Sequence, residues 1–246
     1  MEKTCRRRRA VLFVHGFMGT PRQFDPIAQS LEDAGADLHR LVLPGHERNI
    51  EAFAGEDAAA WQQAVDGALD RLRANYDDLI LVGHSMGGLL LIRAAVRCPD
   101  RIRQIIAVSL PLSLKLTFRG IRIRLGSMGR APKDPDARAA KVMCGVSGLS
   151  LRNSWRLLPN ALGLLRVMGE TEADLPGLTV PLTVINSRRD EIVSMRTLDL
   201  MKKKDPRAEL LTLERASHFR FPEEETELIA ARIRTALDRC RNCPAK

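Results

Sequence analysis

Short apolar runs alternate along this chain with longer segments in which apolar side chains recur every three or four positions. Ala10–Val14, Leu38–Leu43, Leu79–Val82, Ile102–Val108, Val180–Asn186 and Glu209–Leu213 have the length and apolar content of strands, and Pro44-Gly45 closes the second. Between them the spacing predicts helices over Pro21–Ala34, ended by Gly35, and over Asp57–Ala74. A third helix follows Ser85 and is stopped by Pro99; Ser194–Lys203 and Glu223–Asp238 complete the set. Strands separated by helices pair in parallel through right-handed crossovers. The pattern therefore predicts a doubly wound α/β sheet of about six strands, mostly parallel.

One stretch breaks the alternation. From Leu110 to about Pro176 no strand of the same kind occurs, far beyond the usual connection of about 4–6 residues. It divides the chain into a core, 10–109 and 177–240, and an insertion, 110–176, within a single domain. Leu110, Leu112, Leu114, Leu116 and Phe118 alternate with other residues, as do Ile121, Ile123 and Leu125 with Arg122 and Arg124; period two predicts extended segments, such as a hairpin. Trp155, Leu158, Leu162 and Leu165 recur at helical spacing. Burial against the carboxyl edge of the sheet is the plain expectation for most of these side chains; the functional one is a lid whose apolar face lines a pocket.

Composition narrows the picture. At 246 residues, 45% hydrophobic and 28% charged, the chain suits one globular domain with a sheet covered on both faces. Lys and Arg outnumber Asp and Glu by 39 to 30, a net charge of +9, but the excess is spread along the chain and aromatics are only 4%. That argues for a solvated basic surface, at most loosely attracted to a lipid surface, and against a nucleic-acid partner. No apolar run approaches the roughly 20 residues of a membrane span, and Arg6-Arg7-Arg8-Arg9 leads into too short an apolar run for a secretory or twin-arginine signal. A cytoplasmic protein is expected. Five cysteines in scattered positions fit reduced thiols; Cys240 and Cys243 read as two exposed thiols, with no second ligand pair for a metal.

Candidate chemistry begins at Gly83-His84-Ser85-Met86-Gly87. A chance Gly-x-Ser-x-Gly is expected in about one chain in ten of this length, so the neighbourhood decides. An apolar run precedes the motif and a helical segment follows it, which puts Ser85 on a strand-to-helix turn where positive φ is costly for a residue with a Cβ. Glycines on either side let strand and helix approach. The arrangement resembles the nucleophile elbow of α/β-hydrolases.

A serine hydroxyl needs a base beside it and a group to orient that base. In α/β-hydrolases the order is Ser, then Asp or Glu, then His. Of His15, His39, His46, His84 and His218 only His218 follows Ser85. The acid belongs in the loop after the preceding strand, where Asp190 stands beside its rival Glu191; Asp190 is preferred because Glu191-Ile192-Val193 after it resembles the turn into the next helix in such enzymes. Asp190 as a plain helix-capping residue is the alternative. For a developing oxyanion the backbone N–H groups of Met86 and Phe17 are the candidate donors. His15 is expected to hold the Phe17 loop, His84 to pack beside the elbow, His46 to sit no nearer than a pocket edge, and His39 to be exposed.

Together, Val14-His15-Gly16-Phe17-Met18-Gly19, Leu43-Pro44-Gly45-His46, Gly83 to Gly88, Arg188 to Val193 and Ser217-His218 resemble the bacterial carboxylesterase and monoacylglycerol lipase group of α/β-hydrolases, from Val11 to about Leu237. The resemblance implies the α/β-hydrolase fold with a compact cap between the strands near Val108 and Val180. It also implies hydrolysis of carboxylic esters with medium acyl chains, or of monoacylglycerols, without a cofactor. The insertion departs from that group in its richness in Arg and Lys. Thioester hydrolysis, acyl transfer, peptide cleavage and carbon–carbon bond cleavage use the same three residues on this scaffold, and a binding module without turnover is the alternative of another class.

Overall fold

The computed structural model describes residues 8–115, 117–127 and 131–241. Of the residues named above, Arg6, Arg7, Leu116 and Cys243, and the side chains of Arg124 and Leu125, lie outside the described ones. In chain order the elements begin β1 (Arg9–Val14), α1 (Asp25–Gln29), β2 (Asp37–Leu41), β3 (Arg48–Asn49), α2 (Ile50–Ala54) and α3 (Ala58–Asn75). They continue β4 (Asp78–His84), α4 (Met86–Arg97), β5 (Ile102–Val108), α5 (Phe118–Ser127), α6 (Pro135–Val142) and β6 (Val146–Ser147). The chain then forms α7 (Leu158–Asp174), β7 (Leu182–Ser187), α8 (Arg196–Lys204), β8 (Glu209–Leu213) and α9 (Glu223–Arg241).

Six of these strands form one parallel sheet in the order β2-β1-β4-β5-β7-β8. The near-continuous apolar runs of β1, β4, β5 and β7 are explained by burial on both faces, whereas the edge strands β2 and β8 are half-exposed. Ala10, Leu12 and Val14 of β1, with Leu79 and Leu81 of β4, face the layer containing α3 and α4, whereas Val11, Phe13, Ile80 and Val82 face the one containing α1 and α9. Asp57 caps α3 by accepting the Ala60 N–H at 2.7 Å, and Trp61, Val65, Ala68, Leu69 and Leu72 then fall on its buried stripe. In α9 three glutamates occupy the first turn and Arg239 and Arg241 the last, each complementing the helix dipole.

Three expectations are corrected. The helix over Pro21–Ala34 is instead a capped 3-10 turn, Pro21–Phe24, followed by the five residues of α1. Each proline opens a new helical segment because it lacks the N–H that would continue the previous one. Among the described residues no hairpin forms: Phe118–Ser127 is a helix, and Leu114 makes an isolated antiparallel bridge to Val193. Thr117 caps that helix, its Oγ1 accepting the Gly120 N–H at 2.9 Å. Arg119 and Arg122, one turn apart, both reach acids at the start of α6, contacts between distant residues that override the alternating pattern. Cys240 is buried on α9, its thiol donating to the Ala236 carbonyl, rather than exposed.

The insertion is tied to the core at several points. β6 pairs in parallel with β3, and the Gly145 N–H donates to the Met18 carbonyl at 2.8 Å. Its first limb runs along the loop after β7 through bonds from Lys115 N–H to the Ile192 carbonyl and from Ser194 N–H to the Ser113 carbonyl, each 2.8 Å.

Candidate active site

Ser85 sits between β4 and α4 with φ 52° and ψ −122°, outside the usual range for a residue with a side chain. Its N–H donates to the Val108 carbonyl at 2.8 Å, pinning the turn to the end of β5. The glycines are dictated by contact. A Cβ on Gly83 would lie 2.4 Å from the Gly88 nitrogen, and one on Gly87 would lie 2.1 Å from the Val14 carbonyl oxygen. Strand, helix and β1 thus meet at separations only glycine permits.

The loop after β1 reaches the same point. A Cβ on Gly16 would stand 2.9 Å from that of Ser85, so the backbone leading into Phe17 lies against the serine. His46 Nε2 accepts the Met18 N–H at 3.1 Å, the Gly19 N–H closes on the Gly16 carbonyl, and His15 Nε2 accepts the Leu43 N–H at 3.1 Å. Among the described residues the Phe17 amide takes part in none of these bonds. Its ring lies edge-on to Phe53 and Trp61.

Asp190 and His218 come together from the loops after β7 and β8. The His218 Nδ1–H donates to Asp190 Oδ2 at 2.8 Å, and both side chains are buried. Asp190 Oδ1 accepts the N–H groups of Ile192 and Val193, each at 2.8 Å. One carboxylate therefore caps its own turn and holds the ring, which unites the two readings of that residue. Burial by itself would push the Asp190 carboxyl up; His218 and the two amides outweigh it and hold the group at about 2. For His218 burial opposes the charged ring, but the Asp190 charge and hydrogen bond, and then Glu191, raise its pKa above the ordinary 6.5. With Nδ1 engaged, Nε2 is the nitrogen free to exchange a proton. His84, next to Ser85, donates from Nε2 to the His218 carbonyl at 2.9 Å, tying the elbow strand to the histidine loop.

The remaining histidines are structural. Burial drives His15 down to about 4, and His46 and His84 to about 3, so all three are neutral at physiological pH. His15 holds the Phe17 loop and His84 packs beside the elbow. His46, expected no nearer than a pocket edge, is buried and lines no cavity around Ser85, its Nδ1–H donating to the Pro44 carbonyl. His39 is half-buried rather than exposed, with Nε2 3.1 Å from the Tyr76 hydroxyl.

A cavity of about 310 Å³ opens on Ser85, lined mainly by apolar side chains that include Phe17, Leu114, Ile123, Leu164 and Phe219. Leu157, Ala161 and Leu164 line it from the side of α7. Trp155, Leu158, Leu162 and Leu165 do not: they are 70, 62, 57 and 51% exposed, neither packed on the sheet nor facing the cavity. This part of the chain carries leucines nearly all round, so spacing cannot choose its inner face. Neighbours do: Asn160 turns inward because its amide donates to the Phe53 and Glu56 carbonyls. The sequence also left Arg119 and the main chain of His218 out of the site. Their bonds join residues 27 to 72 positions apart and leave no local signal.

Fold and site together define a class. The model of the alpha/beta hydrolase family matches residues 11–232, and the chain belongs to that family. Among curated relatives it is similar to a thermostable monoacylglycerol lipase of Bacillus sp. (strain H-257), 29% identical over 199 residues that cover 78% of this chain and 74% of that one. Among solved structures it resembles one described with LipS and LipT, two metagenome-derived lipolytic enzymes, at a TM-score of 0.75 and 24% identity over 95% of this chain and 94% of that one. A monoacylglycerol lipase of Paleococcus ferrophilus gives 0.69 at 19% identity, over 93% and 94%.

Proposed function

We propose that the protein is a serine carboxylic-ester hydrolase of the carboxylesterase or monoacylglycerol lipase type, working through an acyl-enzyme on Ser85. The observation that carries this reading is the buried His218–Asp190 bond of 2.8 Å behind a serine held at positive φ on the floor of an apolar cavity. Ser85 Oγ attacks the ester carbonyl as its proton passes to His218 Nε2, and Asp190 stabilises the imidazolium. The amides of Phe17 and Met86 hold the tetrahedral oxyanion. Collapse expels the alcohol, which takes the proton from His218; water, activated by the same imidazole, then releases the acid. No cofactor enters this chemistry.

An apolar cavity of this size sits at the lower end of small-ligand pockets, roughly 300–1,000 Å³, and suits one acyl chain of medium length. In this reading residues 110–176 act as the cap of a single domain. The outward stripe from Trp155 to Leu165 makes loose contact with an anionic lipid surface, supported by Arg152 and Arg156 beside it and by the net charge of +9. No described helix is long and apolar enough to cross a membrane. The proposal keeps the protein in the cytoplasm, which cell fractionation checks.

The test is turnover of p-nitrophenyl esters of graded acyl length and of monoacylglycerols, beside acyl-CoA and peptide substrates, for wild type and Ser85→Ala. Ester hydrolysis that peaks at medium chains and vanishes in the variant supports the reading. Activity confined to thioesters or peptides replaces it with another acyl chemistry, and failure of a fluorophosphonate to label Ser85 replaces it with a binding role.

A further inference from the structure

Asp190 and Glu191 compete in the sequence for one role, yet in the fold they hold the same histidine at different places. Asp190 takes the ring; Glu191 Oε2 accepts the main-chain N–H of His218 at 3.1 Å. Glu191 is 4% exposed, and the same oxygen accepts from Arg119 Nη1 at 3.3 Å. Arg119 also donates to the Arg189 carbonyl at 2.6 Å and, through Nη2, to Asp136. Asp136 in turn accepts from Arg220, two residues past His218, at 3.3 Å. The helix bearing Arg119 lies flat on this acid: Thr117 Oγ1 donates to the Glu191 carbonyl, and a Cβ on Gly120 would come within 3.0 Å of that oxygen.

A buried carboxylate is an expensive way to hold a loop, since an apolar side chain of similar volume often stabilises as well or better. What the charge adds is electrostatic. We infer that Glu191 is a positioning residue for the base: its carboxylate fixes the His218 main chain and, with Asp190, favours the imidazolium, while Arg119 from the insertion tempers that charge. The inference rests on the ester-hydrolase reading. His218 is faced by Asp190 and Glu191 from the loop after β7 and by neutral His84 from β4, while Arg220 of its own loop turns to Asp136; Glu191 is faced by Arg119 of α5 and, through it, Asp136 of α6. Burial pushes the Glu191 carboxyl up, against the His218 amide, so the charge is sensitive to its partners.

The experiment is a pH profile of kcat and KM on a soluble p-nitrophenyl ester for wild type, Glu191→Gln and Arg119→Met. Fluorophosphonate labelling of Ser85 and thermal melts accompany it. In Glu191→Gln we expect kcat to fall about tenfold with KM nearly unchanged and the acid limb to move to lower pH, because a negative charge near the imidazole is gone. In Arg119→Met the limb moves to higher pH. A merely structural role shifts the melts and leaves both limbs in place, which overturns the inference, as does a raised KM at unchanged kcat. If the glutamine variant does not fold, the Arg119→Met limb decides alone. If wild type hydrolyses no ester, that reading fails separately, and the pH dependence of Ser85 labelling, which needs the same imidazole, still tests this one.

Discussion

The elbow and the insertion meet at one cavity but are held in opposite ways. Around Ser85 the contacts are backbone on backbone, every residue from Asp78 to Ile92 is buried, and no room exists for an extra carbon at Gly83 or Gly87. The insertion packs Leu112, Val146, Val167 and Leu175 into the core but is otherwise tied to it by side-chain ion pairs such as Arg119–Glu191, Arg156–Glu51 and Arg93–Glu170, and it leaves large apolar groups in solvent. Under the proposed mechanism the difference divides the tasks: the elbow would fix the reacting atoms, and the insertion would shape what reaches them.

The sharpest way to break this division is at the elbow. Ser85→Ala is expected to lower kcat/KM for esters by about 10⁴-fold or more with the fold intact, measured against a matched melt. Asp190→Asn should cost about as much, since the amide no longer fixes the tautomer of His218; a loss under tenfold there would hand the role to Glu191. Gly87→Ala acts on the fold instead. Its methyl would sit 2.1 Å from the Val14 oxygen, so the variant is expected to lose several kcal/mol of stability by denaturant unfolding or to be insoluble.

Acid separates the regions in another way. His15, His46 and His84 have folded pKa values depressed below 6.5, so their contribution is full above pH 6.5 and lost as pH falls toward 4 and 3. Each removes about 2 kcal/mol by pH 5. His218 is raised, so its share has the opposite sign, present below 6.5 and lost as pH rises through its folded value. Unfolding midpoints should therefore drop steeply between pH 6.5 and 5, and the acid limb of kcat/KM should lie above 6.5. The smallest effect belongs to the outer stripe. Leu158→Ser with Leu162→Ser should change stability by no more than about 0.5 kcal/mol each and leave soluble-ester turnover intact, while reducing co-sedimentation with phosphatidylglycerol vesicles.

The same contrast explains what could be read before folding. Six strands and their parallel pairing follow from apolar runs and crossover rules, most clearly for the central strands, because a strand buried on both faces writes its own signal; their order in the sheet does not. The elbow is equally local: strand, Gly-x-Ser-x-Gly and helix lie within twenty residues. Asp190 and His218 are candidates by their order along the chain rather than by a local pattern. The insertion is not legible from spacing where tertiary contacts overrule it, as when Arg119 and Arg122 turn an alternating run into a helix, or Asn160 takes the inner face of α7 while Leu158 faces water. The role of His46 carries no local signal, because its bond to the Met18 amide joins loops 28 positions apart.

Rapid quenching of the protein during turnover of a medium-chain p-nitrophenyl ester, followed by mass mapping of its peptides, addresses the centre of the account. The acyl group is predicted on the peptide containing Ser85, at a stoichiometry matching the burst of nitrophenol. Turnover that continues with no acylated peptide, or with the acyl group on another residue, would contradict it.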